Sequence, residues 1–253
     1  MKPTVFITGA SSGFGEACAR RFAQAGWRLV ITGRRKDRLE ALAAELSPTA
    51  EVLPLVLDVR DRAAMQAAID GLPGDFAKLR GLVNNAGLAL GVEPAQACSL
   101  DDWETMVDTN VKGLMYATHM LLPRLIAHGA GASIVNIGSV AGRWPYPGGN
   151  VYGATKAFVR QFSLNLRADL LGTAIRVTDI EPGLCGGTEF SNVRFHGDDD
   201  KAAKVYADVQ PLTAEDIADS IYWIATRPAH VNINTIELMP VAQSFAGLSV
   251  HRG

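Results

Sequence analysis

Short apolar runs alternate with helical patterns along the whole chain, and this alternation constrains the fold more than any other feature. The runs are rich in β-branched residues and predict strands at residues 5–8, 29–32, 52–57, 82–84, 133–137, 175–180 and 235–238. Continuous apolar strands separated by helices are typical of a parallel sheet that helices cover on both faces. We therefore expect an α/β fold with a doubly wound parallel sheet of about seven strands, in a single domain over residues 1–253.

The composition argues against several classes of protein. Of the 253 residues, 24 are Lys or Arg and 26 are Asp or Glu, and this balance gives no support to a nucleic-acid partner or a basic membrane-surface protein. No apolar run reaches the length of about 18 residues that a membrane span needs. Cys18, Cys98 and Cys185 show no metal-binding spacing, so we expect reduced thiols, no metal ion and a cytoplasmic location.

A glycine-rich turn follows the first predicted strand, where residues 8–15 read Thr-Gly-Ala-Ser-Ser-Gly-Phe-Gly. Glycines let the backbone approach a diphosphate, and the amides at the start of the next helix then face the phosphates. A glycine turn without a ligand is the alternative, but the position between strand and helix favours dinucleotide binding. The expected contacts are Gly9, Ser11, Ser12, Gly13, Phe14 and Gly15.

The end of the second strand indicates which dinucleotide binds. In NAD sites an acidic residue about 20 residues further on binds the ribose 2′-hydroxyl. Here Arg34 and Arg35 follow the strand, and no acid precedes Asp37. Two guanidinium groups would pair with a 2′-phosphate that a carboxylate would repel. Two solvated arginines are the alternative, and the pattern predicts NADP(H) as the cofactor.

Further cofactor contacts are expected after the third and fourth strands. Asp58 and Val59 are positioned to meet the adenine ring, and the alternative for Asp58 is a cap on the next helix. Asn85, Ala86 and Gly87 would lie near a ribose of the cofactor. The preceding Asn84 is equally well interpreted as a brace between strands.

A long polar segment follows the sixth strand, at the sheet edge where doubly wound proteins bind ligands. Pro182 and Gly183 begin it and would pass beside the nicotinamide, and Thr188 would bond the carboxamide or the pyrophosphate. We expect residues 184–201 to form a mobile lid that orders when the cofactor binds.

Tyr152 and Lys156 lie four residues apart and share one face of a predicted helix. A free phenol, with a pKa near 10, is a poor base, but a close positive charge lowers that pKa. Tyr152 would then exchange a proton with a substrate oxygen while hydride moves on the carbon. Such a pair alone is commonplace and is usually an ordinary amphipathic pattern.

Two further residues strengthen this interpretation. Ser139 closes the fifth strand and would donate a hydrogen bond to a carbonyl oxygen. Asn110 is a polar residue within a helix predicted over residues 100–127, and a buried amide needs partners. A water between Asn110 and Lys156 would satisfy it and form a proton path.

These motifs together resemble the classical short-chain dehydrogenase/reductase family. The match runs in order over essentially the whole chain and is carried by residues 8–15, 84–87, 110, 139, 152, 156 and 182–183. The resemblance implies a Rossmann fold, with Tyr152 as the general acid/base and Ser139 orienting the substrate oxygen. It also implies that Lys156 binds the nicotinamide ribose and lowers the tyrosine pKa, and that Asn110 maintains a proton relay. Phe14 replaces a more usual aliphatic residue, which implies only a packing change.

A closer similarity, to family members that act on small 3-hydroxy acids, is carried by residues 85–91, 144–161, 179–199 and 228–248. It implies hydride transfer between NADP(H) and the C3 carbon of L-serine, L-allo-threonine or 3-hydroxypropionate, the last formed from malonic semialdehyde. It also implies a homotetramer. Arg143 stands where a small residue is expected, which would change the entrance of the pocket.

The carboxylate of such a substrate needs a cation or an amide donor. We expect Ser139 and Tyr152 to contact the substrate oxygen, Arg194 to bind the carboxylate and Asn150 to donate as well. A solvated loop arginine is the alternative for Arg194. The tail at residues 240–253 carries apolar groups that a subunit contact would cover, or it is disordered.

Two other functions stay open. The chain could reduce another ketone or aldehyde, or it could be an NADP(H) sensor that kept the fold and lost turnover. The intact set of Ser139, Asn110, Tyr152 and Lys156 argues against a sensor, which needs none of that chemistry.

Overall fold

Parallel strands form one seven-stranded sheet in the computed structural model, which describes residues 2–245. The strands are β1 (Thr4–Ile7), β2 (Arg28–Gly33), β3 (Val52–Val56), β4 (Leu79–Asn84), β5 (Ser133–Ile137), β6 (Arg176–Pro182) and β7 (Thr235–Leu238). Their order is β3-β2-β1-β4-β5-β6-β7, and all neighbouring pairs are parallel. The predicted fold is confirmed, and every predicted strand overlaps an observed one.

Helices cover both faces of this sheet. They are α1 (Gly13–Gln24), α2 (Lys36–Leu46), α3 (Arg62–Asp70), α4 (Leu100–Val107), α5 (Leu114–His128), α6 (Asn150–Asp169), α7 (Phe190–Arg194), α8 (Asp199–Lys204) and α9 (Ala214–Ala225). Val5 and Ile7 of β1 pack in a core with α1, α2 and α9, whereas Phe6 packs in a second core with α3, α5 and α6. Among residues 2–245, no helix has both the length and the apolar character to span a membrane.

The helix predicted over residues 100–127 is wrong in one respect. It consists of α4 and α5, joined by a π-helical turn over Asp108–Gly113 that contains Asn110. The chain passes very close to the segment after β3 here, because a Cβ on Gly113 would lie 2.6 Å from Cγ2 of Val59. Single π turns are common at functional sites, and the spacing of apolar residues does not distinguish them from α-helix.

Buried amides connect β4 and β5 to the helices on one face. The side-chain amide of Asn84 donates to Oδ1 of Asn136 and to Oγ1 of Thr118, both at 2.8 Å. Asn136 in turn donates to Oγ of Ser163 on α6, also at 2.8 Å. Asn84 is therefore a brace between strands, which was one of the two interpretations of its position.

Replacing Asn136 with leucine should destabilise the protein, because the amide of Asn84 and the hydroxyl of Ser163 would each lose a buried partner. A buried polar group left unsatisfied costs about 1–3 kcal/mol, and we expect the free energy of unfolding in urea to fall by at least that amount. Gln161→Ala is the matched control, since it removes an exposed amide of α6 that donates to Asn165, and it should change stability by less than about 0.5 kcal/mol. Equal effects of the two substitutions would contradict the assignment.

Candidate active site

A cavity of about 720 Å³ lies at the carboxyl ends of the strands, a volume typical of small-molecule sites. Most of the predicted site residues line it: Gly9, Ser11, Ser12, Gly13, Phe14, Arg34, Arg35, Asp58, Val59, Asn85, Ala86, Gly87, Ser139, Tyr152, Lys156, Pro182, Gly183, Thr188 and Arg194. Within residues 2–245 the lining leaves out three of them, Gly15, Asn110 and Asn150. One continuous space therefore connects the glycine turn to the tyrosine.

The glycine turn is closely packed against neighbouring backbone. Gly9 has a φ of +69°, and a Cβ there would lie 2.9 Å from the Cα of Ala86. A Cβ on Gly15 would overlap the carbonyl oxygen of Gly9, so the absence of a side chain at Gly15 lets α1 pack against the turn. The side-chain amide of Asn85 donates to the carbonyl oxygens of Thr8 (2.9 Å) and Gly9 (3.0 Å) and fixes the turn. This cradle leaves the N-terminus of α1 open to a bound phosphate.

Arg34 and Arg35 follow β2 and lie beside the glycine turn. The guanidinium of Arg35 donates to Oγ of Ser11 (3.3 Å) and to Oγ of Ser12 (2.6 Å). Its remaining nitrogen pairs with the carboxylate of Glu189 at 2.6 Å. Arg34 is exposed on the same wall of the cavity. Two cations thus lie where the sequence predicts a 2′-phosphate.

Asp58 lies on the cavity wall after β3. Its carboxylate accepts hydrogen bonds from Arg60, the shortest at 2.6 Å. This hydrogen bond, with a smaller contribution from the charge of Arg34, holds the pKa of Asp58 below its usual value. The alternative that Asp58 caps the next helix is wrong, because Asp61 caps α3 by accepting a hydrogen bond from the backbone amide of Ala64.

Ser139, Tyr152 and Lys156 meet at the end of β5. The ring of Tyr152 is buried near the start of α6, and Nζ of Lys156 lies 5.8 Å from its centroid. Lys156 donates a hydrogen bond to the carbonyl oxygen of Ile137 at 2.8 Å. Oγ of Ser139 accepts a hydrogen bond from the backbone amide of Ala141 at 3.1 Å. All three side chains line the cavity.

Asn110 lies behind this cluster, in the π-helical turn. Its amide donates to the carbonyl oxygen of Leu88 (2.8 Å) and to Oγ1 of Thr155 (3.0 Å), and Oδ1 accepts from the Leu88 amide (2.9 Å). A Cβ on Gly87 would lie 3.2 Å from this Oδ1 and 3.5 Å from Nζ of Lys156. Protein groups therefore satisfy the side-chain amide of Asn110, and a proton path through a water between Asn110 and Lys156 stays a prediction.

Burial dominates the titration of the tyrosine and the lysine. It raises the pKa of Tyr152 to about 12, although a hydrogen bond with Ser139 and the charge of Arg194 act in the opposite direction. Burial also lowers the pKa of Lys156 to about 8, against the charge of Asp179. We expected a lowered tyrosine pKa, and the chain's own residues instead raise it, because the Tyr152 side chain is only 8% exposed. The Tyr152 hydroxyl therefore keeps its proton at neutral pH.

Arg194, the last residue of α7, lines the cavity beside the ring of Tyr152. Its guanidinium donates to the hydroxyl of Tyr146 (2.9 Å) and to the carbonyl oxygen of Gly91 (3.2 Å), and Cζ lies 5.8 Å from the Tyr152 ring centroid. Thr188 packs against the glycine turn, where a Cβ on Gly13 would lie 3.5 Å from its side chain. The segment after β6 therefore touches both ends of the cavity.

Two expectations about the cavity entrance are corrected. Asn150 donates to the carbonyl oxygen of Glu93 and to Sγ of Cys98, both at 3.2 Å, so its amide is used away from the cavity. Arg143 pairs with the buried carboxylate of Glu181 at 2.8 Å. A buried carboxylate needs a nearby cation, and this requirement draws Arg143 away from the entrance.

The cavity is also lined by residues that the sequence analysis did not name, among them Tyr146, Glu189, Phe190 and Gln243. The ring of Phe190 lies 5.8 Å from that of Tyr152, and Oε1 of Gln243 accepts a hydrogen bond from the amide of Leu184 at 2.7 Å. The predicted lid contains α7 and the start of α8, and its mobility stays a prediction. Of the predicted tail, residues 246–253 lie outside the described residues.

Comparison with known proteins gives consistent matches. A family described as short chain dehydrogenase matches residues 3–198. The NADP-dependent 3-hydroxy acid dehydrogenase YdfG of Salmonella typhimurium is 62% identical over 248 residues, which cover 98% of this chain and 99% of the relative. Sulfoacetaldehyde reductase 2 of Chromohalobacter salexigens is 58% identical over the full length of both. The closed form of a serine dehydrogenase complexed with NADP+ superposes with a TM-score of 0.94, at 58% identity, and covers 99% of this chain and 100% of that chain.

The stability of Lys156→Met relative to the parent should depend on pH, while the loss of the hydrogen bond to the Ile137 carbonyl lowers it at every pH. The pKa of Lys156 is about 8 in the folded chain and about 10.5 in the unfolded one, so between these values the unfolded state binds more protons and stability rises with pH. Below pH 8 the cost of burial is complete, at most about 3 kcal/mol. Urea unfolding should show that the stability of Lys156→Met relative to the parent falls by on the order of 1–3 kcal/mol between pH 7 and pH 10.

Lys204→Met is the control for this prediction, because Lys204 is an exposed lysine of α8. It should leave stability within about 0.5 kcal/mol at each pH. A gain for Lys156→Met that grew with pH would show that burial does not lower the pKa of this ammonium.

Proposed function

The chain belongs to the short-chain dehydrogenase family, and from this premise we propose that it transfers a hydride between NADP(H) and the C3 carbon of small 3-hydroxy acids. The observation that carries the proposal is the cavity itself. It has a pair of arginines beside a glycine turn at one end and the Ser139 and Tyr152 hydroxyls beside Arg194 at the other. The full-length similarity to dehydrogenases of such substrates supports it.

The residues around the glycine turn fit NADP(H). The backbone of Gly9 leaves no room for a side chain against Ala86, and such a cradle suits a diphosphate at the N-terminus of α1. Arg34 and Arg35 would hold the 2′-phosphate, and Asp58 and Val59 would border the adenine. When bound, NADP(H) supplies or accepts the hydride.

Tyr152 would move the proton that accompanies the hydride. In reduction its Oη donates a proton to the carbonyl oxygen that Ser139 holds by a hydrogen bond. The raised pKa of Tyr152 keeps this donor protonated at neutral pH. In oxidation the proton passes from the 3-hydroxyl to Oη, a direction that requires nearby positive charge. Lys156 provides such a charge, and Asn110 fixes the backbone at Leu88 behind it.

Arg194 would bind the anionic group of the substrate. Its guanidinium lies over the ring of Tyr152 and is oriented by the hydroxyl of Tyr146. A carboxylate held there would keep C3 of the substrate, which is three bonds from the carboxylate oxygen, close to the Tyr152 hydroxyl. Because one relative is named a sulfoacetaldehyde reductase, reduction of a small sulfonated aldehyde is a second candidate that the same cation would serve.

We also infer a homotetramer, a cytoplasmic location, a single domain and a lid at residues 184–201. The oligomeric state rests on the family resemblance, and the location rests on the cysteine usage. Size-exclusion chromatography with light scattering measures the first directly.

A substrate panel with the parent protein and Tyr152→Phe tests the proposed reaction. Reduced nicotinamide should form with NADP+ and L-serine or L-allo-threonine, more slowly with NAD+, and hardly at all with an apolar secondary alcohol. In the reverse direction, the rate with malonic semialdehyde is compared with the rate with sulfoacetaldehyde.

Tyr152→Phe should lower kcat by about 10²–10⁴-fold. The control Tyr116→Phe, which alters a tyrosine of α5, should leave kcat unchanged. Full activity of Tyr152→Phe would refute the mechanism, and an inactive parent would revive the sensor.

Arg194→Met tests the assignment of the anion site. The loss of a charge-assisted hydrogen bond should raise KM for L-serine by roughly ten- to a hundredfold. KM for an uncharged alcohol, measured in the same preparation, should change much less. If both KM values rise equally, Arg194 shapes the cavity and does not bind the anion.

A further inference from the structure

Glu189 connects the segment after β6 to the arginines that follow β2. Its carboxylate lies 2.6 Å from Nη1 of Arg35 and 2.8 Å from Nη1 of Arg38. These side chains are 41%, 40% and 50% exposed, so both ion pairs lie at the mouth of the cavity, in contact with solvent. Together the two arginines hold the pKa of Glu189 below its usual value, which keeps the carboxylate charged.

The same guanidinium of Arg35 also contacts the glycine turn. It donates to Oγ of Ser11, to the carbonyl oxygen of Ser11 and to Oγ of Ser12. Its Nη1 donates to the carboxylate of Glu189. A 2′-phosphate that binds beside Arg35 therefore meets a guanidinium that already pairs with an internal carboxylate.

The charges around Arg35 indicate how the ion pair with Glu189 weakens the binding of a 2′-phosphate. Arg34, Arg35 and Arg38 provide three positive charges, and Glu189 cancels one of them. A phosphate monoester carries a charge of about −1.5 to −2 at neutral pH. If the carboxylate stays in place it repels this phosphate, and if the carboxylate moves away it gives up two ion pairs. Either way the cost falls on a ligand with a 2′-phosphate and not on one without it.

We propose that Glu189 is a specificity-determining residue that competes with the 2′-phosphate of NADP(H) for Arg35 and Arg38. The proposal rests on the proposed use of NADP(H). Exposed ion pairs are weak and exchange easily, so the carboxylate limits phosphate binding without preventing it. The chain thereby limits how strongly it prefers the phosphorylated cofactor.

The position of Glu189 extends this competition toward the substrate. It immediately precedes α7, whose first residue, Phe190, packs on Tyr152 and whose last, Arg194, contacts Tyr146. The residue that competes for Arg35 therefore lies next to the short helix that carries the proposed anion site.

Calorimetric titration of Glu189→Gln tests the proposal without turnover. Adenosine 2′,5′-bisphosphate carries the 2′-phosphate and lacks the nicotinamide, and 5′-AMP lacks both. We expect Glu189→Gln to bind the bisphosphate about two- to tenfold more tightly than the parent does, with the Kd of 5′-AMP unchanged. Glu189→Asp, which keeps the charge, should stay within about twofold of the parent.

Glu40→Gln is the matched control, since it removes an equal charge from α2, where Glu40 pairs with Lys36 and not with the two arginines. It should leave both Kd values unchanged. An unchanged or weaker Kd of the bisphosphate in Glu189→Gln would overturn the proposal, and weaker binding would mean that Glu189 positions Arg35. A parent that binds the bisphosphate no more tightly than 5′-AMP would instead overturn the proposed use of NADP(H), on which this inference rests.

Discussion

The common direction of the seven strands is the constraint on which the site depends. Parallel strands place all their carboxyl ends at one edge of the sheet. Gly9, Arg34, Ser139 and Gly183 follow four different strands and meet at that edge, although the sequence separates them widely. Helices cover both faces of the sheet, and within the cavity the side chains of Tyr152 and Lys156 are buried. The strand direction therefore assembles the cavity, and the helix packing determines its electrostatic character.

Burial has a larger effect on the pKa values of Tyr152 and Lys156 than the charges of neighbouring residues have. Burial favours the neutral forms of Tyr152 and Lys156, which raises the pKa of the tyrosine and lowers that of the lysine. The tyrosine consequently holds its proton, as reduction of a carbonyl requires. Oxidation needs the opposite protonation state, so it depends on positive charge brought close to the ring. The fold thus makes the two directions of the reaction unequal in their demands on the chain.

Features with a local cause were predictable from the sequence. The apolar runs identified the strands, and the glycine turn, Ser139, Tyr152 and Lys156 lie in the cavity where their spacing placed them. Features that depend on distant partners were not predictable. Arg143 turns away because a carboxylate on β6 is buried, and the amide of Asn150 is used by the loop before α4. No local pattern contains these partners.

The number of arginines near a site does not by itself determine its affinity for an anion. A guanidinium contributes fully only if the folded chain has not already neutralised it. Asp58 pairs with Arg60, and Glu189 pairs with Arg35 from 154 residues away. In the ion pairs formed within residues 2–245, Arg34 has no carboxylate partner. The preference for a phosphate at this edge is therefore determined by the balance between arginines and internal carboxylates, and only the tertiary structure reveals that balance.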